Sequence, residues 1–226
     1  MRNRPRLPTR PPDAAYRSDG EMSVSESHAS AIDVAFDVAG TSLPAEHAWP
    51  LLCALEARLP WFAGEARVGI HPLHAVQTTY GIVLLAQRAK LVLRVPEARL
   101  ADALLLQDTL LDVGGSTLRI GAGRARTLRS SATLSAQRVA TDAGDDAAFE
   151  ADVGNALQRL GVTCGLISGR RRRADAGGRE VAGFALTLHG LGPADSLRIQ
   201  CEGIGCDRRL GWGIFVPAKA IVGNWE

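Results

Sequence analysis

The sequence predicts an α+β protein built from two successive βαββαβ units. Three observations carry this. Apolar residues switch between a period of two and a period near 3.6 in the same order twice, between residues 31 and 217. Short glycine-containing turns join neighbouring strand-like runs. A glycine-rich stretch separates the last helical segment from the last apolar run.

Residues 1–30 carry arginine, proline and serine with little periodicity and read as a disordered N-terminal extension. Ala31 to Ala39 alternates through Ile32, Val34, Phe36 and Val38, a half-buried strand. Thr41 to Glu46 then opens a helix, with Ser42 as cap or Pro44 in its first turn, which places His47 in that first turn. Trp49, Leu51, Leu52, Leu55 and Leu59 carry the helix to Pro60. Arg67 to Leu73, Gly81 to Leu85 and Leu91 to Val95 are strand-like. Pro96-Glu97 opens a second helix through Leu106, and Gly114-Gly115 turns a hairpin between Thr109–Val113 and Thr117–Ile120. The segment from Gly121 to Arg138 holds Arg124, Arg126, Arg129 and Arg138 and no acid, and its second half alternates as a strand.

Asp145-Asp146 start a helix through Phe149, Val153, Leu157 and Leu160, which Gly161 ends. Val162 to Ile167 is a strand, and Arg170, Arg171, Arg172 and Arg173 with Gly177-Gly178 form a polar turn before the return strand Val181–Leu188. A helix starts near Asp195. Gly203, Gly205, Gly211 and Gly213, with Arg208 and Arg209, then lead into the apolar run Ile214–Val216. Glycines let a backbone approach another chain closely, and arginines beside them suit phosphates. A dinucleotide-binding loop needs strand, loop, helix in that order, so this reversed order excludes it. A tight connection without a ligand is the other reading of the loop. Two ferredoxin-like units, 31–126 and 127–226 with the glycine-rich loop at 203–213, are the simplest fold that fits.

Composition is that of a globular protein, 46% hydrophobic and 22% charged, and the net charge of +2 is too small to prove a polyanion partner. Lys90 and Lys219 are the only lysines, so the other 24 basic residues are arginine, suited to bidentate phosphate contacts. The four cysteines show no C-x-x-C spacing, which argues against a zinc site and a disulfide framework and for a reducing cytoplasm. No run of about 18 apolar residues predicts a membrane span, and the basic N-terminus lacks the apolar core of a secretory signal. No cofactor or metal is expected.

Several motifs together resemble the RAMP superfamily of CRISPR proteins, and within it the repeat-RNA endoribonucleases of the myxococcal type. They are Asp33–Phe36, Ser42-Leu43-Pro44 with Glu46-His47, Val68–Pro72, Leu91–Pro96, Gly183-Phe184-Ala185, Asp195-Ser196-Leu197 and Gly203–Pro217. One departure is the polar stretch Ile204–Asp207. The resemblance implies metal-independent cleavage within hairpins of CRISPR repeat RNA. The 2′-hydroxyl upstream of the cut attacks, leaving a 2′,3′-cyclic phosphate and a 5′-hydroxyl. It also implies retention of the crRNA and partnership with other effector-complex subunits, without a membrane. His47 is the candidate general acid–base group, because the family often keeps its histidine in this first helix; a surface histidine is the alternative. His71 and His74 stand in reserve, Tyr80 is a candidate to orient the 2′-hydroxyl, and His189 reads as structural or RNA-facing. Arg124, Arg126 and Arg129 offer one basic strip for an RNA stem, and Arg170 to Arg173 a second. Arg208, Arg209 and the loop amides at Gly203, Gly205, Gly211 and Gly213 would hold the backbone near the cut. A non-catalytic crRNA-binding RAMP subunit and a small-molecule-binding ferredoxin-like domain are the competing functions.

Overall fold

The computed structural model describes residues 30–73, 75–77 and 81–219. The proposed extension therefore lies outside the described residues, apart from Ser30, as do His74 and Tyr80. The first unit comprises β1 (Ala31–Ala39), β2 (Ser42–Pro44), α1 (Ala48–Arg58), β3 (Gly69–Ile70), β4 (Ala75–Gln77), β5 (Ile82–Leu85), β6 (Lys90–Pro96), α2 (Leu100–Leu104), β7 (Leu110–Val113) and β8 (Ser116–Thr127). Its main sheet has the order β3-β6-β1-β8-β7. Without the edge strand β7, that is the antiparallel ferredoxin-like arrangement. The second unit comprises β9 (Thr133–Ala140), α3 (Asp146–Arg159), β10 (Gly165–Asp175), β11 (Glu180–His189), α4 (Pro193–Glu202) and β12 (Val216–Pro217), in the sheet order β10-β11-β9-β12. The tandem ferredoxin-like fold is thus present, and β8 ends one residue beyond the expected boundary at 126.

Period-two alternation sorts β1 into two faces. Ile32, Val34 and Phe36 pair with Val95, Leu93 and Leu91 of β6 and are buried in the core beneath α1 and α2. Asp33, Ala35 and Asp37 point the other way, opposite Arg94, Val92 and Lys90 on one side and, for Asp33 and Ala35, Arg126 and Arg124 on the other. One face of the sheet is therefore a core wall and the other a charged floor. In the second unit Leu134, Leu186, Leu188, Phe149, Val153 and Ile199 form a separate core. The two units are not independent, because Leu210 and Trp212 of the glycine loop and Ala176 and Val181 of the second unit are buried in the first unit's core.

Several local expectations change. Ser42–Pro44 does not open the helix. It pairs with Leu84, Val83 and Ile82 of β5 in a small third sheet, and Leu43 is buried there. The chain leaves that pairing only after the Ala45 amide donates to the Gly81 carbonyl, at 2.9 Å. α1 therefore starts at Ala48, and His47 is its N-cap residue, not a residue of its first turn. The second helix is shorter than expected: a 3₁₀ turn over Glu97–Arg99 precedes α2. Arg170 to Arg173 do not form a turn but lie within the edge strand β10, and the turn follows them at residues 176–179. The final strand shrinks to Val216–Pro217; Phe215 before it packs in the second unit's core, and Ile214 is buried beside Gly69 of the first unit. Where α3 begins, the expectation holds: Asp145 caps it by accepting from the Ala148 amide at 2.9 Å. No helix among the described residues is long and apolar enough to cross a membrane.

Arg94 is 1% exposed in the middle of β6. Its Nε and Nη2 donate to Asp33 at 2.8 and 2.9 Å, and its Nη1 donates to the carbonyls of Phe215 and Gln200 at 2.7 and 3.1 Å. Replacing it by leucine strands a largely buried carboxylate and uncaps two carbonyls of the second unit. Arg94→Leu is expected to cost about 3–5 kcal/mol, the range for losing one partner of a buried pair. Urea unfolding checks this; a midpoint equal to wild type would refute it.

Candidate active site

The charged floor of the first sheet leads to the first histidine. His71 follows β3, which borders β6, and its amide donates to the Val92 carbonyl at 2.9 Å. Its Nε2 lies 3.3 Å from Asp33 Oδ1, so Asp33 holds both Arg94 and His71. Burial alone would raise the Asp33 pKa, but hydrogen bonds from His71 and Arg94, with the Arg94 charge, override it and hold the carboxyl well below the usual range. Burial pushes the His71 pKa down against the pull of Asp33, and the charges of Arg94 and Arg208 push the same way.

The second histidine sits at the start of α1. No side chain caps this helix; instead the His47 ring turns back, and Nδ1 donates to the Pro44 carbonyl at 3.0 Å. That bond fixes the neutral tautomer and leaves Nε2 without a partner among the described residues. Burial lowers the His47 pKa, the Pro44 and Ala45 carbonyls oppose this, and the nearby Arg138 charge lowers it further. The positive end of α1 acts in the same direction.

His47 and His71 line one narrow crevice together with Pro72, Arg138, Arg209 and Gly211. Arg138 comes from β9. It stacks over Trp212 with its guanidinium carbon 5.3 Å from the ring centroid. Its Nε and Nη2 donate to the carbonyls of Gly211 and Leu210 at 3.2 and 3.1 Å, and it forms no ion pair among the described residues. Its pKa is lowered by burial, an effect opposed by Glu46 and reinforced by Arg172. The crevice thus holds two imidazoles and a guanidinium held by carbonyls, a set able to move protons beside an anion. Among the described residues no three His, Cys, Asp or Glu side chains converge as metal ligands.

A family model described as Cas6 Crispr matches residues 32–220. The chain belongs to the Cas6 family. The CRISPR-associated endonuclease Cas6 of Myxococcus xanthus (strain DK1622) is 37% identical over 187 residues, covering 82% of this chain and 81% of the relative. A solved CRISPR-associated Cas6 protein superposes with a TM-score of 0.60 at 12% identity, over 84% of this chain and all of that one. A solved RAMP protein described as binding different RNA substrates gives 0.61 at 10% identity, with 84% of this chain and 100% of the other covered. At such identities these likenesses concern the fold.

In this Cas6 family member the expected RNA-facing groups fall into two kinds. Arg124 and Arg126 on β8 and Arg129 beyond it are exposed. Arg126 and Arg129 line an open groove between the units with Asp33, Gln200 and Pro217. Arg170 to Arg173 are exposed along β10; Arg171 lies over the Phe184 ring, 5.7 Å from its centroid, and Arg173 pairs with Glu180 at 3.5 Å. His189 is exposed at the end of β11. The glycine loop is turned inward. Arg208 is 8% exposed, and its Nη1 donates to the Cys201 carbonyl at 2.7 Å. Arg209 spends Nη1 on Glu56 at 2.6 Å and the Ala63 carbonyl at 3.0 Å. The amides of Gly203, Gly211 and Gly213 donate to the carbonyls of Ile199, Arg208 and Arg138. Gly205 and Gly213 have positive φ, and a Cβ on either would run into the carbonyls of Ala140 and Ile204 respectively. The loop's glycines thus serve close packing of the chain on itself.

Asp33, Arg94 and Arg138 were not singled out as site residues by the sequence reading. The available signal was charge inside strands that otherwise read as core: Arg94 amid Leu91–Val95, Asp33 between Ile32 and Val34, and Arg138 before Val139.

The folded pKa values of His47 and His71 lie below the ordinary 6.5, so the fold binds fewer protons than the unfolded chain. The stability this contributes is complete above about pH 6.5 and is lost as pH falls below it; Asp33 adds a second loss below about pH 4. The urea midpoint is expected to drop between pH 7.5 and pH 5, and to drop less in a His47→Gln, His71→Gln double variant. Equal pH dependence in both proteins would refute this.

Proposed function

We propose that this chain is a metal-independent endoribonuclease that cuts CRISPR precursor RNA within its repeat hairpins and remains on the crRNA as a subunit of a cytoplasmic effector complex. The observation that carries this reading is the shared crevice: His47, its Nδ1 tied to a carbonyl and its Nε2 without a partner among the described residues, lines it together with His71 and Arg138. The relative from Myxococcus xanthus, described as an endonuclease, supports the activity. In the cleavage step the 2′-hydroxyl upstream of the cut attacks phosphorus and loses its proton to an imidazole. The bond to the 5′-oxygen breaks, and that oxygen takes a proton from an imidazolium. A 2′,3′-cyclic phosphate and a 5′-hydroxyl result. His47, neutral and without a partner at Nε2 among the described residues, is the principal acid–base group, and His71, oriented by Asp33, is the second. Arg138 stabilises the charge that builds on the phosphorane oxygens. The stem rests on Arg124, Arg126 and Arg129, with β10 as the second basic strip.

His47→Ala is expected to keep repeat-RNA affinity within a few-fold while single-turnover cleavage in EDTA falls by about 10²–10⁴, the range for one acid–base group. A 2′-deoxy substitution upstream of the cut should abolish cleavage in wild type. Wild-type rates from His47→Ala would move the assignment to His71, and cutting of the deoxy substrate would overturn the mechanism. RNA bound but never cut would leave a non-catalytic crRNA-binding subunit.

Arg124→Ala combined with Arg126→Ala should weaken binding and flatten its salt dependence, each lost phosphate contact removing about 0.7–0.9 from the log–log slope. Filter binding over a range of salt concentrations checks this. An unchanged slope would mean that the strip faces away from RNA.

A further inference from the structure

The hairpin formed by β10 and β11 carries its exposed arginines in the half next to its turn, and the turn packs against the start of α1. Residues 177–179 of the turn are exposed, but the first unit holds its base. Ala176 is buried in the core of the first unit. The Asp175 amide lies 3.4 Å from Glu46 Oε2, and Arg179 pairs with Asp207 at 2.6 Å. Gly177, at φ +71°, lies under the indole of Trp49, where a Cβ would come within 2.5 Å of the ring. Glu46 and Trp49 stand on either side of His47 in the chain. His47 has no side-chain cap to anchor its helix start, so the place of its ring follows the backbone from Pro44 to Trp49. Further along the hairpin, Arg172 lies opposite Gly183, and its charge is felt at Arg138 in the crevice.

We propose that the tip of the β10–β11 hairpin is a positioning element for His47, set by the packing of Gly177 against Trp49. An RNA stem held along the arginines of β10 is thereby registered to the acid–base group. This last clause rests on the RNA-cleaving reading above; the positioning itself does not. Trp49 is 40% exposed, so its ring is not needed to fill the core. A glycine at positive φ beneath it lets the strand turn approach the helix start within contact distance. Displacing a reacting group by about 1 Å can cost about 10²-fold in rate, which makes such a contact matter.

The test compares Trp49→Ala, Trp49→Phe and Gly177→Ala in the full chain. The His47 ring resonance and its titration midpoint are followed by NMR without RNA, and repeat-RNA affinity and single-turnover cleavage are measured beside them. The groups that face His47 are Glu46, Arg138, His71 and Arg209, and none is altered. Trp49→Ala and Gly177→Ala should each move the His47 resonance and midpoint and slow cleavage by at least about tenfold, with affinity within about threefold, as misplacement predicts. Trp49→Phe, which keeps a ring over Gly177, should restore both. If Gly177→Ala fails to fold, the two Trp49 variants decide alone. An unmoved His47 resonance in Trp49→Ala overturns the proposal, and so does an affinity loss that accounts for the whole rate loss. If wild type cuts no repeat RNA while the His47 resonance still moves, the nuclease reading falls and the positioning contact stands.

Discussion

The rest of the molecule depends on the fork of Arg94. Two of its nitrogens hold the Asp33 carboxylate on the neighbouring strand, and the third reaches across the junction to the carbonyls of Phe215 and Gln200. A buried guanidinium is costly unless its donors are used, and here Nε, Nη1 and Nη2 all have partners. The planar, fixed geometry of arginine suits this bridge, because it meets a carboxylate in bidentate fashion while leaving an edge for the carbonyls. The same carboxylate orients His71. One interaction therefore ties the two units together, sets the end of α4 and the approach to β12, and places an imidazole in the crevice.

Around this bridge the second unit uses its glycine loop as a plug. Leu210 and Trp212 enter the core of the first unit, and Arg138 stacks on Trp212 while hydrogen-bonded to carbonyls of the loop. Arg208 turns Nη1 to the Cys201 carbonyl, and Arg209 turns Nη1 to Glu56. The arginines of the two basic strips stay exposed outside the loop, on β8, just beyond it and on β10. The division follows from burial. An arginine in a tight loop is desolvated and must find carbonyls or carboxylates at once, whereas one on an open sheet face or edge strand keeps its water until a partner displaces it.

Some of this was legible beforehand. Alternation in β1 and β9, the Asp145 cap, the Gly114-Gly115 turn and the helical spacing of Phe149, Val153 and Leu157 are local patterns, and each appears where it was expected. The order of these elements determined the fold, since two βαββαβ repeats leave few other ways to cover both sheets. His47 and His71 could be nominated by resemblance, but nothing in their spacing showed that 23 intervening positions would bring them to one crevice.

By itself the sequence determined the order of the main βαββαβ elements, the two-unit architecture, the basic character of residues 121–138 and the family. Tertiary structure decided what depends on pairing between distant segments. Ser42–Pro44 became a strand because β5 offered it a partner, which moved His47 from within the helix to its N-cap. Arg208 became structural because carbonyls at the end of α4 surround it, and Asp33, Arg94 and Arg138 acquired their roles from neighbours 38 to 121 residues away. Periodicity records which face of an element is buried. It carries no information on which polar group another element brings to that face, and that meeting sets charge state and donor geometry.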